Sequence, residues 1–136
     1  GASIEEEQLL SRYGLHVGTA FQLIDDVLDY CGDAEEMGKS LGDDLSEGKA
    51  TLPLLRVIQN GTPEQAGLVR RAIESGGRAD FEAVMRAIND TDAIPYSRKK
   101  AESEASQACF GIERLMDSPY RDSLFELARF ATNRNH

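Results

Sequence analysis

The sequence has no tryptophan, and only two histidines and two cysteines among its 136 residues. Cys31 and Cys109 have no metal-site spacing, and two lone cysteines fit reduced cytosolic thiols better than a disulfide scaffold. A cytoplasmic location is therefore expected. No apolar run approaches the ~20 residues of a membrane span, so no stable membrane anchor is expected. The opening Gly1-Ala2-Ser3-Ile4 lacks the basic segment and apolar core of a signal peptide. An excess of base is missing too. Lys and Arg total 15 against 24 Asp and Glu, a net charge of -9. Twelve of those acids but only Arg12, Lys39 and Lys49 among the bases fall within residues 1–50, so the rest of the chain is neutral. This distribution offers no basic face for nucleic acid or an anionic membrane.

What is present reads as one all-helical unit. The length and 40% apolar content suit a single soluble domain with a real core. No stretch alternates convincingly like a strand. Ser3 is the expected N-cap of a first helix, with Glu5, Glu6 and Glu7 at the positive end of its dipole. That helix should run to about Tyr30 and stop near Gly32. A charged, glycine-broken loop follows over 32–50. Further helices are expected over 51–59, from Pro63 to Gly76 and over 80–89. Thr62-Pro63-Glu64-Gln65 places an N-cap, a proline at the first helical position and a capping-box glutamine in order. A longer helix should span 96–116. Ser118-Pro119 should start the last one, with Leu124, Leu127, Ala128 and Ala131 as its apolar stripe, and residues 133–136 should fray. Tyr30, Met37, Phe110 and Phe125 are expected to pack. Gly14 and Gly18 would allow a close helix approach, and His16 is expected to be structural. Arg98-Lys99-Lys100 reads as a solvated helix face.

The stretch Gly18-Thr19-Ala20-Phe21-Gln22-Leu23-Ile24-Asp25-Asp26-Val27-Leu28-Asp29-Tyr30 carries the chemistry. At ~100° per residue, Gly18, Gln22, Asp25, Asp26 and Asp29 fall on one narrow stripe, and apolar side chains cover nearly all the rest. Adjacent like charges cost a few tenths of a kcal/mol each on an exposed helix, and more if partly buried. A divalent cation would offset that. Carboxylate oxygens with no His or Cys suit Mg²⁺ and disfavour zinc. An EF-hand does not fit, because Asp25–Glu36 lacks the alternating ligands and Gly32 is not at the sixth loop position. Periodicity alone leaves open whether the stripe is only the solvated face of an amphipathic helix.

Downstream, Lys39 and Lys49 each follow a glycine in an otherwise acidic region. Lysine approaches a phosphate oxygen as a point charge, and glycine lets the backbone come close. Taken alone, the two lysines read first as balancing nearby acids on a surface loop. Asp43 and Asp44 are candidates for an ordering role near the site or a helix N-cap.

Together, Phe21-Gln22-x-x-Asp25-Asp26-x-x-Asp29, Gly38-Lys39 and Gly42-Asp43-Asp44-Leu45-x-Glu47-Gly48-Lys49-x-Thr51-Leu52-Pro53 resemble the second aspartate-rich region of the trans-polyprenyl diphosphate synthases. The resemblance is strongest to the bacterial long-chain, octaprenyl type. It implies an all-α bundle of the isoprenoid synthase type, a Mg²⁺ cofactor held by Asp25, Asp26 and Asp29, and a catalytic role for Asp25, Asp26 and Lys39. It implies that Gln22, Lys39 and Lys49 bind substrate. It also implies an allylic prenyl diphosphate and isopentenyl diphosphate as substrates, and a homodimer.

The family's first aspartate motif and its upstream basic site are absent from residues 1–136. The expectation is therefore that the chain is the C-terminal part of such a synthase domain, inactive alone. Two alternatives stay open: a non-catalytic partner subunit of a prenyl synthase, and a related terpene synthase.

Overall fold

A computed structural model describes residues 3–31, 45, 47–76, 80–115 and 117–133. Lys39, Met37, Asp43, Asp44, Gly32 and all of the expected frayed tail over 133–136 except Asn133, the last residue of the final helix, lie outside them. Six helices with defined bounds and no strand occur among the described residues: α1 (Ile4–Leu28), α2 (Leu52–Asn60), α3 (Pro63–Ser75), α4 (Phe81–Asp90), α5 (Ala93–Ile112) and α6 (Pro119–Asn133). The chain divides into two compact units. The first draws on Gly1–Ile24 and Arg98–Arg134, and the second centres on Asp25–Ser97.

The helix starts follow local chemistry. The Ser3 hydroxyl accepts from the Glu6 N–H at 3.1 Å, and the Glu6 carboxylate accepts from the Ser3 N–H at 3.4 Å, a reciprocal cap on α1. At α3, Thr62 and Gln65 make the same exchange at 3.1 and 2.9 Å. Gly76 then closes that helix at φ 80, a left-handed conformation that favours glycine. Ser118 caps α6 by accepting from the Arg121 N–H at 3.1 Å.

Three boundaries differ from expectation, one of them the end of α5 at Ile112 rather than near 116. α1 ends at Leu28, where the Tyr30 and Cys31 N–H groups switch to acceptors three residues back, Val27 and Leu28. α5 begins at Ala93 rather than Tyr96. Pro95 does not delay it, because the first four N–H groups of a helix have no intrahelical acceptor. Asp92, at φ 51, turns the chain there, and its carbonyl accepts from the Tyr96 N–H at 3.0 Å.

The first unit packs Tyr13 and Val17 of α1 on Ala108 and Ile112 of α5 and Ala128 of α6. Ala20, Ala105 and Ala131, one from each helix, form a second contact. The close approach thus rests on alanines. Gly14 and Gly18, by contrast, are exposed and would tolerate a Cβ with nothing within 4 Å. Phe110 is also exposed, at 73%, and Leu127 at 45%, so neither packs as expected. Tyr13 donates to the Leu124 carbonyl at 2.7 Å. His16 Nδ1 lies 2.5 Å from a Glu104 carboxylate oxygen, a structural pairing.

The second unit packs α2, α3 and α4 on one another. Its core joins Leu54, Val57, Val69, Val84 and Ile88 to Tyr30 and Leu45. Tyr30 stacks on Phe81 with ring centroids 6.5 Å apart. Arg56 lies over the Tyr96 ring at 4.2 Å.

Candidate functional site

The carboxylate stripe occupies the C-terminal end of α1, and the structure grades it from water to interior. Gln22 and Asp25 are exposed. Asp26 is 7% exposed and Asp29 only 1%. Asp29 stays in register with the helix, because its N–H still donates to the Asp25 carbonyl at 3.1 Å. The cause of the grading is on the same helix. Val27 and Leu28 are buried, and Asp26 and Asp29, directly beside them in the last turn, are buried with them, whereas Asp25 stays at the surface. Two of three carboxylates have therefore left bulk water, so the stripe is not simply a solvated face. Removing a carboxylate from water costs several kcal/mol unless positive charge or hydrogen bonds compensate.

Lys49 supplies positive charge. Its ammonium sits 3.9 Å from a carboxylate oxygen of Asp26, with the lysine side chain 49% exposed. At that separation this pair is held by charge rather than by a hydrogen bond. Screening at the half-exposed lysine limits its contribution to about 1 kcal/mol or less. Gly48, just before it, sits at φ 74, and a Cβ there would come within 3.1 Å of the Ile73 carbonyl oxygen. The turn that delivers Lys49 thus needs a glycine.

The expected residues Gln22, Asp25, Asp26, Asp29 and Lys49 are described, and Lys49 is brought onto the stripe from another part of the chain. Lys39 lies outside the described residues. Among the described residues, no three His, Cys, Asp or Glu side chains converge as a metal cage. The donor set is nevertheless of one hard-oxygen type, with Asp25 open to solvent. That fits a cation such as Mg²⁺, which takes one or two carboxylates and completes its shell with water and phosphate oxygens. Thr51, two residues beyond Lys49, had been legible only as a motif position and a helix start. It is 5% exposed, and its hydroxyl has no hydrogen-bond partner among the described residues. No signal of burial could be read for it from its own sequence neighbourhood. A groove of about 720 Å³ lies elsewhere, in the first unit, lined by Arg12, Tyr13, His16, Cys109 and Arg114 among others.

The helical architecture is shared with solved synthases. A polyprenyl synthase from Caulobacter crescentus, in complex with calcium and isoprenyl diphosphate, matches with a TM-score of 0.87 and 38% identity, over 100% of this chain and 42% of that one. A geranylgeranyl pyrophosphate synthase from Corynebacterium glutamicum, in complex with isoprenyl diphosphate and magnesium, matches at 0.84 and 29%, over 98% of this chain and 39% of that one. The fold is that of the all-α isoprenoid synthases. The polyprenyl synthetase family model matches residues 1–91, and the chain belongs to that family. Octaprenyl diphosphate synthase from Escherichia coli is 49% identical over 136 residues, which is 99% of this chain and 42% of the relative. The chain thus spans about two-fifths of the length of such relatives.

Proposed function

We propose that this chain carries the metal–diphosphate half of a magnesium-dependent trans-polyprenyl diphosphate synthase. In the intact protein, the reaction joins isopentenyl diphosphate to an allylic prenyl diphosphate and extends an isoprenoid chain. The allylic carbon–oxygen bond breaks, the isopentenyl double bond attacks the resulting carbocation, and a diphosphate and a proton leave. A bound divalent cation supplies Lewis-acid stabilisation of the charge that develops on the departing diphosphate.

The chain's own residues divide the remaining work. Asp25, exposed at the helix surface, is the accessible carboxylate for the cation, with Asp26 and Asp29 behind it. Gln22, one turn earlier, offers an amide to the allylic substrate. Lys49, and Lys39 by family resemblance, offer positive charge to the diphosphate. The single observation that carries this reading is Lys49 placed 3.9 Å from Asp26, a cation delivered by a distant segment to the buried part of the stripe. The solved relatives bound to isoprenyl diphosphate with calcium or magnesium support it. A cytoplasmic homodimer is part of the same proposal, and sedimentation of the intact protein tests the dimer.

Asp25→Ala in the intact protein should lower kcat/KM for isopentenyl incorporation by about a hundredfold or more. Full turnover by the variant would sink the metal assignment.

A further inference from the structure

Thr51 stands at the N-cap of α2 in the extended conformation that position requires, φ -90 and ψ 169. Threonine there normally lends its hydroxyl to the N–H of the second or third helical residue. In α2 the second residue is Pro53, which has no N–H, and the Thr51 hydroxyl does not cap the third either. The backbone does the ordinary work of the position, since the Thr51 carbonyl accepts from the Leu55 N–H at 3.0 Å. The hydroxyl is left buried, with no partner among the described residues. A buried hydroxyl without a bond is a net cost, and threonine is not the residue that packing alone would select there.

Its place in the chain points to what the hydroxyl is for. Only Ala50 separates it from Lys49. Lys49 is half-exposed, and its 3.9 Å pairing with Asp26 is long for an ion pair. An arriving diphosphate is a strong attraction for that ammonium, because charge-assisted bonds to phosphate oxygens are short. A lysine that turns toward the anion pulls on a two-residue tether whose other end is Thr51.

We propose that Thr51 is a positioning residue of the diphosphate-bound state: its hydroxyl takes up an acceptor when Lys49 turns from Asp26 toward the anion, and so fixes the start of α2 and the reach of Lys49. This rests on the reading of the site given above. A hydroxyl idle in one state and bonded in the other separates stability from binding, which a purely structural threonine does not do.

The test compares Thr51→Val and Thr51→Ser with the unsubstituted intact protein. It measures the thermal midpoint without ligand and the affinity for inorganic diphosphate in the presence of Mg²⁺. Thr51→Val, which keeps the shape and loses the hydroxyl, should hold or raise the thermal midpoint while weakening diphosphate binding about tenfold. Thr51→Ser should keep affinity to within about twofold, because it retains the hydroxyl. A Thr51→Val protein that binds diphosphate as tightly as the unsubstituted one overturns the inference. So does one whose thermal midpoint falls while affinity holds, since its hydroxyl must already have been bonded. If the unsubstituted protein binds no diphosphate with Mg²⁺, the reading of the site falls and this inference falls with it.

Discussion

Asp26 and Tyr13 show how single residues acquire properties that their neighbours in sequence do not dictate. Asp26 lies beside an exposed twin, Asp25, yet is carried inward by Val27 and Leu28 and meets Lys49. Tyr13 is buried in the first unit, and burial, with smaller contributions from Cys109 and Tyr120, holds its phenol above the ordinary value of 10.0. Burial likewise raises the Cys109 thiol above 9.0, against the nearby Arg129 charge and with help from Glu113. A raised value means the folded chain holds the proton more tightly than the unfolded one. The stabilising contribution is complete below the unfolded value and is lost as pH rises through the folded one. Stability should therefore decline as pH climbs past 9 to 10. Tyr13→Phe should cost about 1 kcal/mol at neutral pH, through the lost bond to the Leu124 carbonyl, and should shallow the alkaline decline. Urea unfolding across a pH series checks both; an unchanged alkaline slope in the variant would refute the assignment to Tyr13.

At the scale of the element, the helix starts were the most legible part of the sequence. Ser3, Thr62-Pro63-x-Gln65 and Ser118-Pro119 are local signals, and each opens a helix where the spacing placed it. Thr62→Ala should destabilise the protein by about 1 kcal/mol by leaving the Gln65 N–H without its acceptor, measurable as a lower urea midpoint at constant slope. Gly61, just before that cap, adds a steric demand. A Cβ there would meet the Val57 carbonyl oxygen at 2.6 Å, in the turn closed by the 2.7 Å bond between the Gly61 N–H and the same oxygen. The misread start of α5 has a clear cause. Pro95 stands in the first turn of α5, where its missing N–H is not needed, so the helix can begin at Ala93. Leu127 was misplaced for a similar reason: periodicity identifies an apolar stripe, while its width depends on what the neighbouring helices cover.

At the scale of the molecule, exposed large apolar side chains are unevenly shared. Ile4, Leu15, Phe110, Tyr120, Leu127 and Phe130 belong to the first unit, whereas Leu55 is the second unit's one counterpart among the described residues. The first unit should accordingly bind an apolar dye such as ANS. Phe110→Ser, at a position 73% exposed, should lower that fluorescence while leaving the thermal midpoint nearly unchanged, since it removes little buried surface. A large fall in midpoint would show that Phe110 packs in solution.

The sequence by itself determined that the chain is helical, where most helices begin, and that one helix concentrates Gln22, Asp25, Asp26 and Asp29 on a stripe. These are consequences of capping, of proline and of a 3.6-residue period, all of which act within a few residues. The resemblance in its spaced motifs also carried the family. Only the tertiary structure decided that Asp26 and Asp29 leave water while Asp25 stays in it, that Lys49 reaches Asp26, and that the Thr51 hydroxyl is buried without capping its helix. Those outcomes depend on which distant surfaces close over a residue, and burial and Coulomb interactions are set by distance in space rather than along the chain.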